Sequence, residues 1–151
     1  MRLTRRKSAR RGAATLEAAI TVTVFLTLVL GTVDLGVGVA RYNTLSQAAR
    51  YGARHGTVHG SLATVSGKWG PTTVTEQADA GTDACVVATA GMLANCPLDE
   101  SSVTFEWPDG DNEPGSRVRV TVTSAYRPMI TFIFGNPSLT LSASSTMIIS
   151  H

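Results

Sequence analysis

Within the stretch RRGAATLEAAITVTVFLTLVLG, residues 10–31, one carboxylate interrupts an apolar run: Glu17, five residues after Gly12. A charged side chain costs roughly 2.5–3.5 kcal/mol at the centre of a membrane helix and less near its end. The acid must therefore meet a cation in low-dielectric surroundings, or sit at the interface against the positive end of the helix dipole with Arg11 beside it. Other candidate chemistry is sparse. His55 and His59 have the i, i+4 spacing of a helical metal pair, yet a glycine follows each and no third ligand is near, so no metal site is expected. Cys85 and Cys96 are the only cysteines, and in an oxidising compartment such a pair most often forms one disulfide. A continuous helix would hold them about 16 Å apart, whereas bridged Cα atoms lie about 4.4–6.8 Å apart. A bond between them thus requires the helix to end before Cys96, and the NCP at 95–97 suits that ending. The sequence holds no G-x-S-x-G, no phosphate-binding loop and no H-E-x-x-H. Neither an enzyme nor a cofactor is expected.

The elements that carry these residues begin with an uneven charge distribution. Residues 1–12 hold six of the 13 basic side chains and none of the 11 acidic ones, so the remainder has a net charge of −4. The overall +2 averages two opposite pieces, and no nucleic-acid binding is expected from it. From 18 to 40 the only charge is Asp34, and about 20 apolar residues at 1.5 Å rise cross a hydrocarbon core of about 30 Å. Positive residues ahead of the span predict a cytoplasmic N-terminus and an exported remainder. A cleaved secretory signal has the same order of regions, but the apolar run is about twice the usual signal length. It also continues into a helical pattern, which favours a retained helix.

GAATLE at 12–17, after a basic leader and before the apolar run, resembles a type IV prepilin processing site. Together with LGTVDLG at 30–36 and YNTLSQAARYGAR at 42–54, it closely resembles the TadE-like family of the tight-adherence (Flp) pilus system. The resemblance is strong over 10–56, with a weaker echo in the closing segments RVRVTVTSAYRPMITFIFG and LTLSASSTMII. It implies a pilin-like fold, cleavage between Gly12 and Ala13 by a membrane prepilin peptidase, and pairing of Glu17 with the N-terminal amine of a neighbouring subunit. Glycine before the cut has a steric rationale, since no Cβ blocks approach to the backbone. Ala13 departs from the Phe or Met that opens mature classical type IV pilins. The implied partners are the lipid bilayer, other pilin or pseudopilin subunits, the peptidase and the pilus assembly platform.

Asp34 lies near the far interface, where it either reaches headgroups and water or pairs with a basic residue of a partner subunit. Gly31, Gly36 and Gly38 thin the helix around it and allow close helix approach and a bend. Beyond them Leu45, Ala48, Ala49 and Gly52 recur at helical spacing and form one narrow face of small residues. That face suits packing onto the protein's own sheet or onto a neighbour's helix. Residues 13–54 make a rod of about 60 Å, and Gly56 and Gly60 end it.

Residues 57–72 read as a loop. TVTE at 73–76 has a capping-box pattern and predicts a helix carrying Val74, Ala78, Gly81, Cys85, Ala88 and Met92 on one side, with a break at Gly81 and a second cap at Thr82. Strands are predicted over 102–107, 116–126, 129–134 and 139–149; Val118, Val120 and Val122 alternate with polar residues as in a half-buried antiparallel strand. PDGDNEPG at 108–115 reads as a solvated hairpin tip, since it lacks calcium-loop spacing. RPMITFIFGNP at 127–137 is apolar and a candidate contact with neighbouring subunits.

The expected architecture is α+β: a long N-terminal transmembrane helix running into a pilin-like domain, in which a further helix packs on a three- to four-stranded antiparallel sheet. The expected divisions are a basic cytoplasmic leader (1–12), a transmembrane and amphipathic helix (13–56) and an exported domain (57–151). The leading functional reading is a minor pilin or pseudopilin of a tight-adherence pilus, single-pass in the cytoplasmic membrane. The alternatives are a pseudopilin of a related secretion apparatus and a bitopic protein whose exported domain binds an envelope ligand.

Overall fold

The computed structural model describes residues 5–64, 67–129 and 138–150, with side chains from residue 12 onward. Its dominant element is α1, Arg5–Gly56, a continuous α-helix of 52 residues. After a loop come β1 (Val74–Gln77), the short helix α2 (Ala84–Ala90), a 3-10 turn at Leu98–Glu100, and then β2 (Ser101–Glu106), β3 (Arg117–Tyr126) and β4 (Leu139–Ile148). The four strands form one antiparallel sheet in sequence order, β1-β2-β3-β4. This is the α+β arrangement expected from the sequence.

Period-2 patterning decides which face of the sheet is covered. In β3 Val118, Val120, Val122, Ser124 and Tyr126 are buried, while Arg117 and Arg119 point away. The register sets Phe105 opposite Val120 and Val103 opposite Val122, so the buried sides of neighbouring strands coincide. The second half of α1 packs over β3 and β4, and α2 packs over β2. The small-residue face works as predicted: Leu45, Ala48, Ala49 and Ala53 are fully buried. Gly52 must be small, because a Cβ there would come within 2.6 Å of the Thr89 Oγ1 atom and within 3.2 Å of Phe105 and Val120. The face lies on the chain's own sheet.

Contacts along α1 show that it runs antiparallel to β3. Gly38 lies against Tyr126, Gly52 against Val120, and Gly56 against Val118. From 38 to 56 the helix advances about 27 Å, and from 126 to 118 the strand returns about 26 Å. The two rises match, which is why contact is kept along the whole strand.

Two expectations need correction. The capping-box segment at 73–76 starts no helix: Val74–Gln77 is the edge strand β1, with Thr75 paired to Thr104. The Glu76 carboxylate instead reaches forward. It accepts hydrogen bonds from the backbone N–H of Thr82 (2.8 Å) and Asp83 (3.1 Å) and from the Thr82 hydroxyl (3.1 Å). The capping acid thus serves the turn that leads into α2, and the flanking position is Asp83 rather than Thr82. The Asp83 N–H leads in holding the Glu76 carboxyl below its ordinary range.

Cys85 and Cys96, where a disulfide was expected, are free thiols, and both are buried. The helix does end before Cys96, at Ala90, so that condition is met. Their surroundings nevertheless differ. Cys85 lines a small pocket with Lys68, Trp69, Val74 and Trp107, whereas Cys96 lies beside Ser124. Ser124 pairs with Ser101, six residues from Trp107 along the chain, so the two thiols sit toward opposite ends of β2, a run of about 20 Å. Burial raises both, Cys85 to about 11 with Asp83 adding to the effect. The strand predicted over 129–134 lies, after Met129, outside the described residues, as does most of the candidate contact at 127–137.

Candidate functional site: the projecting helix and its junction with the sheet

From residue 12 to 33, α1 touches little of the rest of the chain, and its side chains stand exposed apart from the half-buried Thr27 and Gly31. The apolar ones include Leu16, Ile20, Phe25, Leu26 and Leu28. These 22 residues advance about 33 Å, against a hydrocarbon thickness of about 30 Å. Of the described elements, this helix is long and apolar enough to cross a membrane. Four of its described hydroxyls are satisfied within the helix. Thr21, Thr23, Thr27 and Thr32 each donate to the carbonyl four residues earlier, at 2.8–2.9 Å. No hydroxyl proton of these four is left facing an apolar solvent, the condition for a threonine-rich stretch to sit in lipid.

Glu17 lies on this exposed stretch, just over one turn beyond Gly12. Among the described residues a Cβ added at Gly12 would meet nothing within 4 Å. Packing among the described residues therefore gives no reason for glycine at 12, in contrast to Gly52.

At Asp34 the environment changes within one residue. Asp34 is 5% exposed and is bound by the Tyr126 end of the sheet. The Tyr126 hydroxyl donates to the Asp34 backbone carbonyl at 2.8 Å and lies 3.4 Å from its Oδ1 atom. The Met129 backbone N–H donates to the same Oδ1 at 2.9 Å. The Arg41 guanidinium stacks over the Tyr126 ring, 5.2 Å from its centre, a cation–π contact. Burial, followed by the neighbouring Asp34 charge, raises the Tyr126 phenol. Asp34 thus has hydrogen-bond partners within its own chain, at the end of β3 and just beyond it. An open apolar groove of about 420 Å³ runs along this junction, lined by Leu35, Gly38, Val39, Tyr126, Pro128 and Leu139 among others.

Sequence reasoning singled out Asp34 but missed Tyr126 and Met129. The contact joins positions 92 and 95 residues apart in the chain, and no local pattern encodes it. The one available signal was a tyrosine closing the buried side of β3, after Val118, Val120, Val122 and Ser124, since a buried tyrosine hydroxyl usually finds a partner.

The histidines are held by aromatic packing. His59 stacks on Trp69 with ring centres 4.1 Å apart, His55 packs on Tyr51, and the His59 Nδ1 atom lies 2.7 Å from the His55 carbonyl. Among the described residues no group of three or more His, Cys, Asp or Glu side chains gathers to hold a metal ion.

Residues 12–54 match the family model described as TadE-like protein. The match opens at Gly12, covers the projecting stretch and the α1 side of the junction, and ends two residues before α1 does. The closing strands, where a weaker likeness was expected, lie outside it. Neither the curated proteins nor the solved structures give a significant match to the chain.

Proposed function

With the TadE-like segment as premise, we propose that the chain is a non-catalytic minor pilin or pseudopilin of a tight-adherence pilus assembly system. The matched family is pilus-associated and structural. In this reading residues 1–12 form a cytoplasmic leader, α1 crosses the cytoplasmic membrane once from about residue 13, and the sheet with α2 is exported. A prepilin peptidase cuts between Gly12 and Ala13, and Glu17 then meets the N-terminal amine of a neighbouring subunit. Other pilin-like subunits and the assembly platform are the remaining partners.

The observation that carries the reading is the bare first half of α1. An apolar helix of one bilayer thickness, with its threonines internally bonded, is stable in lipid and unfavourable in water. The same surface offers a neighbouring subunit a helix to pack against. Gly12 adds support, because a glycine that its own fold does not require fits recognition by an outside partner. Glu17 is exposed on that bare surface and is open to a cation from a second chain, which would offset its cost in the membrane.

The test is the N-terminus of the native protein extracted from membranes, read by intact mass and terminal peptide sequencing. A chain beginning at Ala13 is expected. A chain retaining residues 1–12 would remove the processing step and the Glu17 pairing together. Cleavage beyond about residue 40 would remove the membrane anchor and the pilus reading with it.

A further inference from the structure

The sheet packs along α1 from Asp34 to Gly56, and that contact begins where the bare helix ends. Residues 12–33 fill a hydrocarbon core of about 30 Å, so Asp34, fixed to Tyr126 and Met129, falls at its outer boundary. Because α1 and β3 are antiparallel, the Tyr126 end of the sheet faces back toward the bare helix. The Val118 end, with the β2–β3 connection beyond it, points away.

The two ends differ in chemistry. At the near end Met129 is 74% exposed and Leu139 51%, beside exposed Leu35 and Val39 and the apolar groove between them. Arg41 and the exposed Tyr42 follow about two turns after Asp34 on α1, and Arg127, ion-paired with Glu100 at 2.7 Å, follows Tyr126; tyrosine and arginine are types that settle at headgroup depth. The far connection carries Asp109, Asp111 and Glu113, and the Asp109 carboxylate is engaged by Arg117. An apolar end continuous with a membrane-length helix and an acidic end opposite it give the domain a polarity along the helix axis.

We propose that the near end of the sheet is a lipid-contact surface: Met129 and Leu139 rest in the outer interface of the bilayer, and an outer-leaflet acyl chain occupies the groove beside Asp34. The domain therefore stands on the membrane on this end, with the β2–β3 connection outermost. This rests on the membrane-spanning reading of α1 given above. It adds a second, specific contact between protein and lipid that a helix with a freely tethered domain would lack. The apolar surface buried there contributes to holding the domain in one orientation.

The experiment uses the full chain reconstituted in phosphatidylcholine vesicles whose acyl chains carry bromine, a contact quencher of indole fluorescence. The native Trp69 and Trp107 lie toward the far end and give a constant background. Met129→Trp and, separately, Leu139→Trp are expected to add emission that brominated lipid removes. Leu62→Trp, exposed beyond the C-terminal end of α1, is expected to add emission that it leaves untouched. Phe25→Trp, within the bare helix, reports on insertion itself. Quenching at 25 with none at 129 and 139 would overturn the lipid-contact surface while leaving the span intact, and would mean that the groove faces solvent or a protein. Equal quenching at 62 and 129 would also overturn it, because the domain would then lie flat. Absence of quenching at 25 would refute the membrane-spanning reading, and the inference would fall with it.

Discussion

The two halves of α1 share small and aliphatic residues, threonines and glycines, but the second adds Arg41, Arg50, Arg54 and other polar side chains, and the two meet opposite fates. Before Asp34, large aliphatics face outward all round the helix; after it, alanines and glycines gather on one stripe and disappear under the sheet. Residue size explains the difference. A helix that must approach a sheet closely needs small side chains at the contact, whereas one facing lipid gains from bulk on every side. Leu28 and Leu45 are the same residue on the same helix, 66% exposed and fully buried respectively. A leucine's own hydrophobicity does not decide its fate; the second half carries Arg50, Arg54 and Gln47 on its other sides and so has one apolar face, whereas the first is apolar all round.

Truncating those two leucines breaks the comparison most directly. Leu45→Ala removes a fully buried side chain and is expected to cost about 2–5 kcal/mol. Leu28→Ala should leave the domain within about 0.5 kcal/mol of the parent. Denaturation of the full chain in detergent micelles, followed by near-ultraviolet circular dichroism of Trp69 and Trp107, reads both. Equal effects would show that the halves are not energetically distinct.

Glycines sharpen the same contrast at smaller amplitude. Gly52→Ala places a Cβ 2.6 Å from the Thr89 Oγ1 atom, and the resulting overpacking should cost about 1–3 kcal/mol. Gly36→Ala meets nothing within 4 Å and should be neutral or stabilise the helix by up to about 1 kcal/mol. The midpoints of the same denaturation experiment check this pair. Destabilisation by Gly36→Ala would point to a backbone requirement at 36 that packing does not reveal.

Patterns written over short stretches were legible in the sequence. The Leu45–Gly52 stripe and the alternation in β3 each repeat with the period of their element, so burial followed from spacing; the apolar run was legible from its length and composition instead. The segment at 73–76 was misread because Thr-x-x-Glu serves two geometries. Its glutamate can bond back to its own turn or forward to another, and pairing of Thr75 with Thr104 decided for the strand. The Asp34 anchor was illegible for a different reason: its partners are a phenol and a backbone N–H more than 90 residues away. The Cys85–Cys96 pairing failed to appear because spacing along the chain limits separation but does not say which end of a strand each thiol faces.

The junction itself can be loosened by one oxygen atom. Tyr126→Phe keeps the ring under Arg41 and removes the donor to the Asp34 carbonyl, for an expected loss of about 1 kcal/mol. The effect should be local. Amide hydrogen exchange ought to quicken around residues 34–41 and stay unchanged at 45–53, where the stripe is buried. Faster exchange throughout α1 would mean that Tyr126 holds the whole helix on the sheet rather than the boundary between its halves.

The smallest effect is expected at the opposite end of the domain, where another aspartate holds a similar position under full exposure to water. Asp109 accepts from the Arg117 backbone N–H at 2.8 Å and from its guanidinium at 2.6 Å, much as Asp34 accepts from Met129. Led by the Arg117 side-chain bonds, these contacts bring its carboxyl down to about 2 from an ordinary 3.8. A depressed folded value means that the unfolded chain takes up the proton first. The contribution is complete above about pH 4 and is lost as the pH falls through about 2. Asp109→Asn should therefore lower the melting temperature slightly at pH 7 and flatten its fall between pH 4 and 2. Other acids, Glu76 among them, contribute to the parent's acid sensitivity, so the difference between the two profiles is the quantity that reports Asp109. Parallel profiles would show that solvent screening has removed the bond's value. Two carboxylates with like partners would then differ in worth only because one is buried at the junction and the other is bathed in water.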